Sequence, residues 1–359
     1  MNSNFHRIIA ARLEDRRGLF LATSNRLGTS LQNVEKDFWV CFLLDLIFNG
    51  RSANEPRLLF KGGTSLSKAY GLISRFSEDL DITVFREDIG QNIDLDNMEN
   101  LSGKQQRIRI EAIKQSCKTY IQNQLKERLN QQLMTLFREL NISFKDIPVI
   151  PDPDDPDDQT LLMRYPSVST EINNYVIPMI KIEAGAKSAL EPHQLVSIQP
   201  YIADEIIKDN LIVPDIITIK AERTFWDKIV ILHGLRRWHD NRNQLRHQGH
   251  RISRHYYDIY KLVHSPVGQK TQNDITLGLD CVRHSKMFFN SKDLDLLHCY
   301  PGSFSIMPTQ EMIEILKRDY NAMAGMIFGE VPKFSNVLEV IEQLEETINR
   351  AGKIEHSNI

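Results

Sequence analysis

The chain has 359 residues, of which 41% are apolar and 25% charged, and its formal net charge is −3. This is the composition of an ordinary globular protein with one large domain or two moderate ones. The near-neutral charge gives no sign of bulk affinity for nucleic acid, so DNA is not an expected partner. Four distant cysteines exclude a dense disulfide framework, and no apolar run suits a membrane span or a signal peptide. We therefore expect a cytoplasmic protein that binds no membrane.

The first strongly patterned segment is Asn33–Asn49, in which apolar residues recur with helical spacing. Its acidic residues come early, as is typical of the beginning of a helix. The wide apolar face indicates a helix that packs against a sheet. Lys36 and Asp37 are expected at its solvated start, and a functional role for them is the alternative.

A short apolar strand, Leu58–Phe60, runs into the segment Lys61–Lys68, which reads KGGTSLSK. Paired glycines let the backbone turn tightly and approach a ligand, because no Cβ intervenes. The N–H groups that open the following helix are unpaired donors at the positive end of its dipole, which suits a phosphate. A simple turn before a helix would explain the same residues.

A second strand is predicted around Asp79 and Asp81. Residues two apart on a strand point to the same face, so the two carboxylates lie side by side. Their repulsion is relieved by a hard cation such as Mg²⁺, for which Mn²⁺ can substitute. A solvated strand edge is the simpler alternative, but a glycine turn followed by a metal pair is the layout of a nucleotide-handling site.

This order of strand, Gly-Gly-Thr-Ser, helix and Asp-x-Asp strand resembles the signature of the polymerase-β-type nucleotidyltransferase superfamily. The resemblance implies an α+β fold, mixed α/β in type, with a small mixed sheet. It also implies a third carboxylate on a strand next to the one that carries Asp-x-Asp.

The segment Lys104–Leu140 is predicted to be helical and carries eight Lys or Arg residues against three Glu. A basic helix face can hold an RNA backbone, although most such faces are only solvated.

Residues 151–158, PDPDDPDD, can form neither helix nor strand, because proline removes donors and the acids repel. They are expected to form a solvated linker or a hairpin tip.

Two strands are predicted at Leu161–Pro166 and Tyr175–Gly185, with a turn at Asn173–Asn174. In the second strand Lys181 and Glu183 share one face. Glu183 is the residue expected to supply the third carboxylate, and a glutamate at the rim of the sheet is the alternative.

Ile216–Trp238 is predicted to be the end of a strand followed by a helix, with the helix at Ile219–His233. A mobile polar loop is predicted from Arg236 to His250, and another helix at Arg251–Val263. Lys228 lies off the apolar stripe of the first helix. Between Ile217 and Tyr256 there are nine Lys or Arg residues against three acids, a local excess of positive charge that suits a polyphosphate or an RNA end.

Three parts of the chain are similar to the AbiEii/AbiGii-type toxin nucleotidyltransferases. They are Glu35–Trp39, the glycine to Asp-x-Asp site, and the pair formed by Glu222–Lys228 and Arg254–Asp258. The resemblance implies the toxin of a toxin–antitoxin or abortive-infection (phage-defence) pair, with a cognate antitoxin. Such an enzyme transfers NMP from an NTP to a cellular acceptor, such as the RNA acceptor tRNA.

The resemblance also implies roles for individual residues. Asp79, Asp81 and Glu183 are the expected metal ligands and, with Lys228 and Asp258, the expected catalytic residues. Lys228 would neutralise charge on the triphosphate, and Asp258 would orient Lys228, Arg254 or the acceptor. A salt bridge between the two late helices explains Lys228 and Asp258 equally well. The expected nucleotide-binding residues are Lys61, Gly62, Gly63, Thr64, Ser65, Lys68, Arg223 and Arg254.

We expect a nucleotidyltransferase core at residues 1–215, with the helical insertion at 104–140, and a mainly helical C-terminal domain at 216–359 that completes the active site. Transfer to a small molecule or a protein, and a non-catalytic nucleotide-binding protein, are the alternatives that the sequence leaves open.

Overall fold

The structure is a computed structural model that describes residues 2–77, 79–142, 148–168, 178–206 and 210–356, without the side chains of residues 247 and 351–356. The turn expected at Asn173–Asn174 and the beginning of the strand expected from Tyr175 lie outside these residues.

The described residues form helices and strands, and all of these strands lie between residues 58 and 219. In chain order they are α1 (Ser3–Ala10), α2 (Leu13–Leu27), α3 (Leu31–Phe48), β1 (Leu58–Lys61), α4 (Gly62–Lys68), β2 (Asp79–Val84), α5 (Leu95–Glu99), α6 (Gly103–Tyr120), α7 (Lys126–Glu139), β3 (Val149–Pro151), β4 (Thr160–Arg164), β5 (Met179–Glu183), β6 (His193–Ile198), β7 (Val213–Ile219), α8 (Ala221–Arg242), α9 (Ser253–Val263), α10 (Pro266–Thr271), α11 (Ile275–Phe288), α12 (Gln310–Met323) and α13 (Phe334–His356).

The described strands form one seven-stranded sheet in the order β3-β4-β5-β2-β1-β7-β6. Strands β1 and β2 are antiparallel, whereas β2 pairs with β5 and β1 pairs with β7 in parallel. Strands β3, β4 and β5 continue as antiparallel neighbours. The mixed sheet with its many helices confirms the mixed α/β fold expected from the sequence.

The chain divides into two compact units. Unit 1 contains residues 1–69, 76–94 and 101–218, and unit 2 contains residues 70–75, 95–100 and 219–359. Unit 1 therefore holds the strands from β1 to β6 and most of β7, whereas unit 2 holds α5 and the helices from α8 onward. None of the helices in the described part of the chain has both the length and the apolar content to span a bilayer.

Helix α3 is buried along nearly its whole length, from Asn33 to Ile47. The Ser30 hydroxyl caps its N-terminus by accepting a hydrogen bond from the Asn33 N–H. Lys36 and Asp37 are only 5% and 3% exposed, so the expectation of a solvated helix start is wrong. The reason is that helices α2 and α7 and strand β5 pack on α3 and cover its polar positions as well as its apolar face.

Residues 152–158 form the tip of the β3–β4 hairpin, which confirms the hairpin tip expected there. Pro151, which was expected outside any strand, is instead the last residue of β3. The Lys114 Nζ lies 2.6 Å from Asp157 Oδ1, and the Lys118 Nζ lies 2.6 Å from Asp158 Oδ2. Both lysines belong to α6, which continues through a π-helical turn into α7. Part of the basic charge of the helical insertion is therefore neutralised by the acidic hairpin tip.

In unit 2, helix α11 packs closely on α8 through Gly278. A Cβ at Gly278 would lie 2.9 Å from ring atoms of the buried Trp226. By contrast, Gly18 in helix α2 has open space where its Cβ would be.

We expect Gly278→Ala to destabilise the protein, because overpacking costs about 1–3 kcal/mol. This exceeds the gain of about 0.5–1 kcal/mol that alanine brings to a helix interior. Gly18→Ala, at the open position, should be neutral or stabilising. Thermal unfolding of the two variants beside the wild type checks this, and equal stabilisation by both would contradict the close packing of α8 and α11.

Candidate active site

Three neighbouring strands of unit 1 bring the predicted carboxylates together. Asp81 pairs in register with Lys61 on β1 and with Glu183 on β5, and Asp79 pairs with Lys181 on β5. Paired residues on adjacent strands point to the same face, and so do residues two apart on one strand. Asp79, Asp81 and Glu183 therefore share one face of the sheet with two lysines. We call these five residues the carboxylate face.

The lysines of the carboxylate face partly neutralise it. The Lys61 Nζ lies 3.6 Å from Asp81 Oδ1, and the Lys181 Nζ lies 3.4 Å from Glu183 Oε1. The side chains of Asp81 and Glu183 are 22% and 41% exposed, so both carboxylates reach solvent. Burial acts to lower the pKa of Lys181, but the neighbouring carboxylates outweigh it and raise the pKa above its ordinary value.

Sequence reasoning gave Lys181 no role, although the strand alternation already placed it on the same face as Glu183. Its Nζ also lies 3.3 Å from Asp152 Oδ2, at the beginning of the acidic hairpin tip. This second contact joins residues far apart in the chain, and no local pattern could indicate it.

Gly62 lies directly against the carboxylate of Asp81. Its φ angle is +77°, and a Cβ built there would be 2.0 Å from Asp81 Oδ2. Any side chain at this position would therefore occupy the space of the carboxylate and would also be strained. Only glycine allows the backbone turn to approach Asp81 in this way.

The beginning of helix α4 is tied to strand β2 by hydrogen bonds. The Thr64 hydroxyl donates to the backbone carbonyl of Asp79 and lies 2.8 Å from Ser77 Oγ. The Ser65 hydroxyl donates to the Gly62 carbonyl at 2.8 Å. Both hydroxyls are buried, and they connect the glycine turn to the aspartate strand.

Lys68, at the other end of α4, has a buried side chain. Its Nζ lies 2.7 Å from Asp37 Oδ1, and its side chain is 5% exposed. Burial acts to lower the pKa of Lys68, but the Asp37 carboxylate outweighs it, so that the pKa lies above its ordinary value.

The donor set of the carboxylate face fits Mg²⁺ in its chemistry. Mg²⁺ prefers oxygen ligands and is commonly held by one or two carboxylates together with substrate phosphates. Within the described residues, no three His, Cys, Asp or Glu side chains are gathered closely enough to hold a metal ion by themselves.

In unit 2 the structure brings the predicted Lys228 and Asp258 into contact. The Lys228 Nζ lies 2.8 Å from Asp258 Oδ2, and Arg75 donates to both carboxylate oxygens, at 2.7 Å and 2.8 Å. Burial acts to raise the pKa of Asp258, but the two cations outweigh it and hold the pKa well below its usual range. Burial lowers the pKa of Lys228, which Asp258 partly restores. Sequence reasoning missed Arg75, whose partner lies far along the chain.

The two predicted arginines also belong to unit 2. Arg223 is 2% exposed and forms ion pairs with Asp280 and, at 3.6 Å, with Asp227. Arg254 lies half-buried in the first turn of α9. The predicted site residues thus form two groups. Unit 1 holds Lys61, Gly62, Gly63, Thr64, Ser65, Lys68, Asp79, Asp81 and Glu183, and unit 2 holds Arg223, Lys228, Arg254 and Asp258.

The sequence matches the family model described as nucleotidyl transferase AbiEii toxin, type IV toxin–antitoxin system, over residues 45–340. Among the curated proteins compared, none matches the sequence. Among solved structures, the chain is similar to MenT4, a nucleotidyltransferase toxin from Mycobacterium tuberculosis H37Rv. The identity is 14% and the TM-score 0.42, and the match covers 93% of this chain and 98% of that one.

We expect Gly62→Ala to lower nucleotidyl transfer by about 100-fold, since a misplacement of about 1 Å at a reacting centre can cost that much. Gly71→Ala is the matched control, because Gly71 also has a positive φ, of +61°, but has open space where its Cβ would be. Pyrophosphate release from NTP measures the effect. Equal activity losses in the two variants would show that backbone strain, rather than contact with Asp81, lowers the activity of Gly62→Ala.

We expect Asp258→Asn to lower the free energy of unfolding by about 3–5 kcal/mol at pH 7, because Lys228 and Arg75 lose their buried counterion. Since the pKa of Asp258 is lowered in the folded state, its stabilisation is present above the ordinary carboxyl value of about 3.9 and is lost below it. The difference between variant and wild type should therefore shrink below about pH 4.

Denaturant titrations at pH 7 and in acid check this expectation for Asp258. Asp96→Asn is the control, because Asp96 is 76% exposed and its partner Arg283 keeps a second contact with Glu99. An Asp258→Asn variant as stable as the control at pH 7 would contradict a stabilising role for the ion pairs.

Proposed function

Because the chain belongs to the AbiEii nucleotidyltransferase toxin family of type IV toxin–antitoxin systems, we propose that its carboxylate face transfers NMP from an NTP to an RNA acceptor, such as tRNA, in a Mg²⁺-dependent reaction. Membership of the family makes the chain a nucleotidyltransferase toxin with an NTP substrate and an antitoxin partner. Beyond this family membership, we propose which residues act, that the metal is Mg²⁺ and that the acceptor is RNA. We also propose that the toxin arrests growth, including in defence against phage.

The observation that carries the proposal is the contact between the glycine turn and the aspartate strand. The backbone at Gly62 lies against the Asp81 carboxylate, and Glu183 is the register neighbour of Asp81. Phosphoryl chemistry needs positioning and charge stabilisation more than covalent participation by the protein. A backbone turn that can approach phosphates, placed beside carboxylates that favour Mg²⁺, supplies both.

The residues of unit 1 then have separate roles. Asp79, Asp81 and Glu183 would hold Mg²⁺ or Mn²⁺, which when bound stabilises the entering and leaving oxygens of the transfer. Gly63 and Lys61 would contact the phosphates, the former through its N–H and the latter through its ammonium. Thr64 and Ser65 would act through the buried hydrogen bonds that fix the turn. Glu183, whose side chain is 41% exposed, would also accept a proton from the attacking hydroxyl.

For unit 2 we propose that Arg254, which is half-buried, contributes positive charge towards polyphosphate or an RNA end. Lys228 and Arg223 are only 5% and 2% exposed, so they would add to the local positive potential without contacting the phosphates. Asp258 would orient Lys228 through their ion pair. The local excess of nine basic residues over three acids between Ile217 and Tyr256 supports this proposal. Ion pairs that only stabilise the helices would account for the same contacts, and kinetic analysis of Lys228→Met beside Asp258→Asn separates the two roles.

Transfer of α-³²P label from each NTP to total cellular RNA tests the proposal. We expect label on a tRNA-sized band with the wild type, and a loss of at least about 100-fold with Asp81→Asn, because the cation loses a charged ligand. Asp88→Asn is the matched control, since Asp88 is a carboxylate of the same unit that pairs with Arg57.

The other outcomes identify the alternatives. Label on protein or on a small molecule would support NMP transfer but would show that the acceptor is not RNA. Equal label with Asp81→Asn and wild type would contradict the assignment of the carboxylate face. Absence of transfer from all four NTPs, with nucleotide still bound in a calorimetric titration, would identify a non-catalytic nucleotide-binding protein.

A further inference from the structure

A buried charge cluster in unit 1 lies at the far end of the helix that begins with the glycine turn. Lys68 is the last residue of α4, and its ammonium pairs with Asp37 of α3 at 2.7 Å. The two side chains are 5% and 3% exposed. A lysine and an aspartate so far removed from water are retained only when each satisfies the other.

Tyr201 completes this cluster from a third part of the chain. Its backbone N–H donates to the second Asp37 oxygen at 2.7 Å, and its ring centroid lies 3.7 Å from the Lys68 ammonium. The ammonium therefore contacts a carboxylate and an aromatic face, both of which favour a buried cation. A contact between Lys68 and a nucleotide phosphate would require this buried arrangement to break.

Helix α4 depends on such contacts for its position. It has seven residues, and helices of this length are not stable by themselves in water. Its beginning is held by the Thr64 hydroxyl on the Asp79 carbonyl, and its end by the ion pair with α3. Since seven residues span only about 10 Å, a shift at either end displaces Gly62 relative to Asp81.

We propose that Asp37 and Lys68 are positioning residues of the nucleotidyl transfer reaction. Their buried ion pair fixes the position of α4 relative to α3, which keeps the Gly62–Gly63 turn against Asp81. Neither side chain touches the nucleotide. This inference rests on the proposed function of the carboxylate face. It assigns Lys68 an indirect role in place of the direct nucleotide contact expected from the sequence.

Kinetics of Asp37→Asn, Lys68→Met and the double variant test the proposal. The double variant is decisive, because it leaves no unpaired charge in the interior and keeps an acceptor for the Tyr201 N–H. We expect all three variants to lose about 10- to 100-fold in kcat with little change in the KM for NTP, and the double variant to lose no more than the worse single one.

A direct contact between Lys68 and phosphate predicts a different pattern. Lys68→Met would then raise KM with kcat unchanged, and Asp37→Asn, which frees the ammonium, would bind NTP as well as the wild type or better. That pattern would overturn the proposal.

Glu35→Gln is the matched structural control. Glu35 lies on the same helix, is buried, and accepts hydrogen bonds from Ser167 and Val168, which belong to a different part of the chain from α4. We expect it to lower the melting temperature without lowering kcat when the assay temperature is far below melting. A loss of kcat in Glu35→Gln equal to that in Asp37→Asn would show that general destabilisation, and not the position of α4, causes the effect.

Hydrogen exchange of the amides at 62–69 separates this inference from the proposed function. Faster exchange in the double variant than in Glu35→Gln is expected whether or not the wild type releases pyrophosphate. If exchange is faster but the wild type has no activity with any NTP, the proposed function fails and the structural effect of the pair remains. Unchanged exchange with unchanged kcat would refute the positioning role.

Discussion

The register of three strands is the constraint on which the candidate site depends. β1 runs antiparallel to β2, and β2 runs parallel to β5, so that Lys61, Asp81 and Glu183 fall side by side on one face. A slip of one residue in either pairing would send the partner side chain to the opposite face. The absence of a Cβ at Gly62 then lets the turn after β1 meet the Asp81 carboxylate. Backbone pairing and one glycine thus bring together the chemistry proposed for this face.

Lysine and arginine side chains compensate the charge of carboxylates in both units, but these ion pairs differ in their exposure to solvent. On the carboxylate face the compensating lysines are partly exposed, so their contacts are weak and can be exchanged for a cation or a phosphate. The Asp37–Lys68 pair in unit 1 and the Asp258 cluster in unit 2 are buried, and breaking either leaves a charge without a partner. Exposure therefore separates ion pairs suited to a changing ligand from those that fix helices.

Much of this arrangement could be predicted from the sequence, because it follows from local periodicity. Alternation along a strand placed Asp79 beside Asp81 and Lys181 beside Glu183, and paired glycines indicated the turn. The burial of Asp37 and the partners of Lys68 and Arg75 could not be predicted, because they depend on contacts between residues far apart in the chain. A wide apolar stripe on α3 indicated packing but did not show that neighbouring helices also cover its polar side. The sequence analysis did not predict α1 and α2, although Phe5, Ile8 and Ile9 of α1 recur with helical spacing.

The proposed function requires that the carboxylate face bind the NTP through the glycine turn and the paired aspartates. A crystal structure with Mg²⁺ and a non-hydrolysable NTP analogue tests this requirement. We expect nucleotide phosphates beside Gly62 and Gly63, with the metal ion ligated by Asp79 and Asp81. A nucleotide bound elsewhere, with Lys61 still paired to Asp81 and no metal on the aspartates, would contradict it.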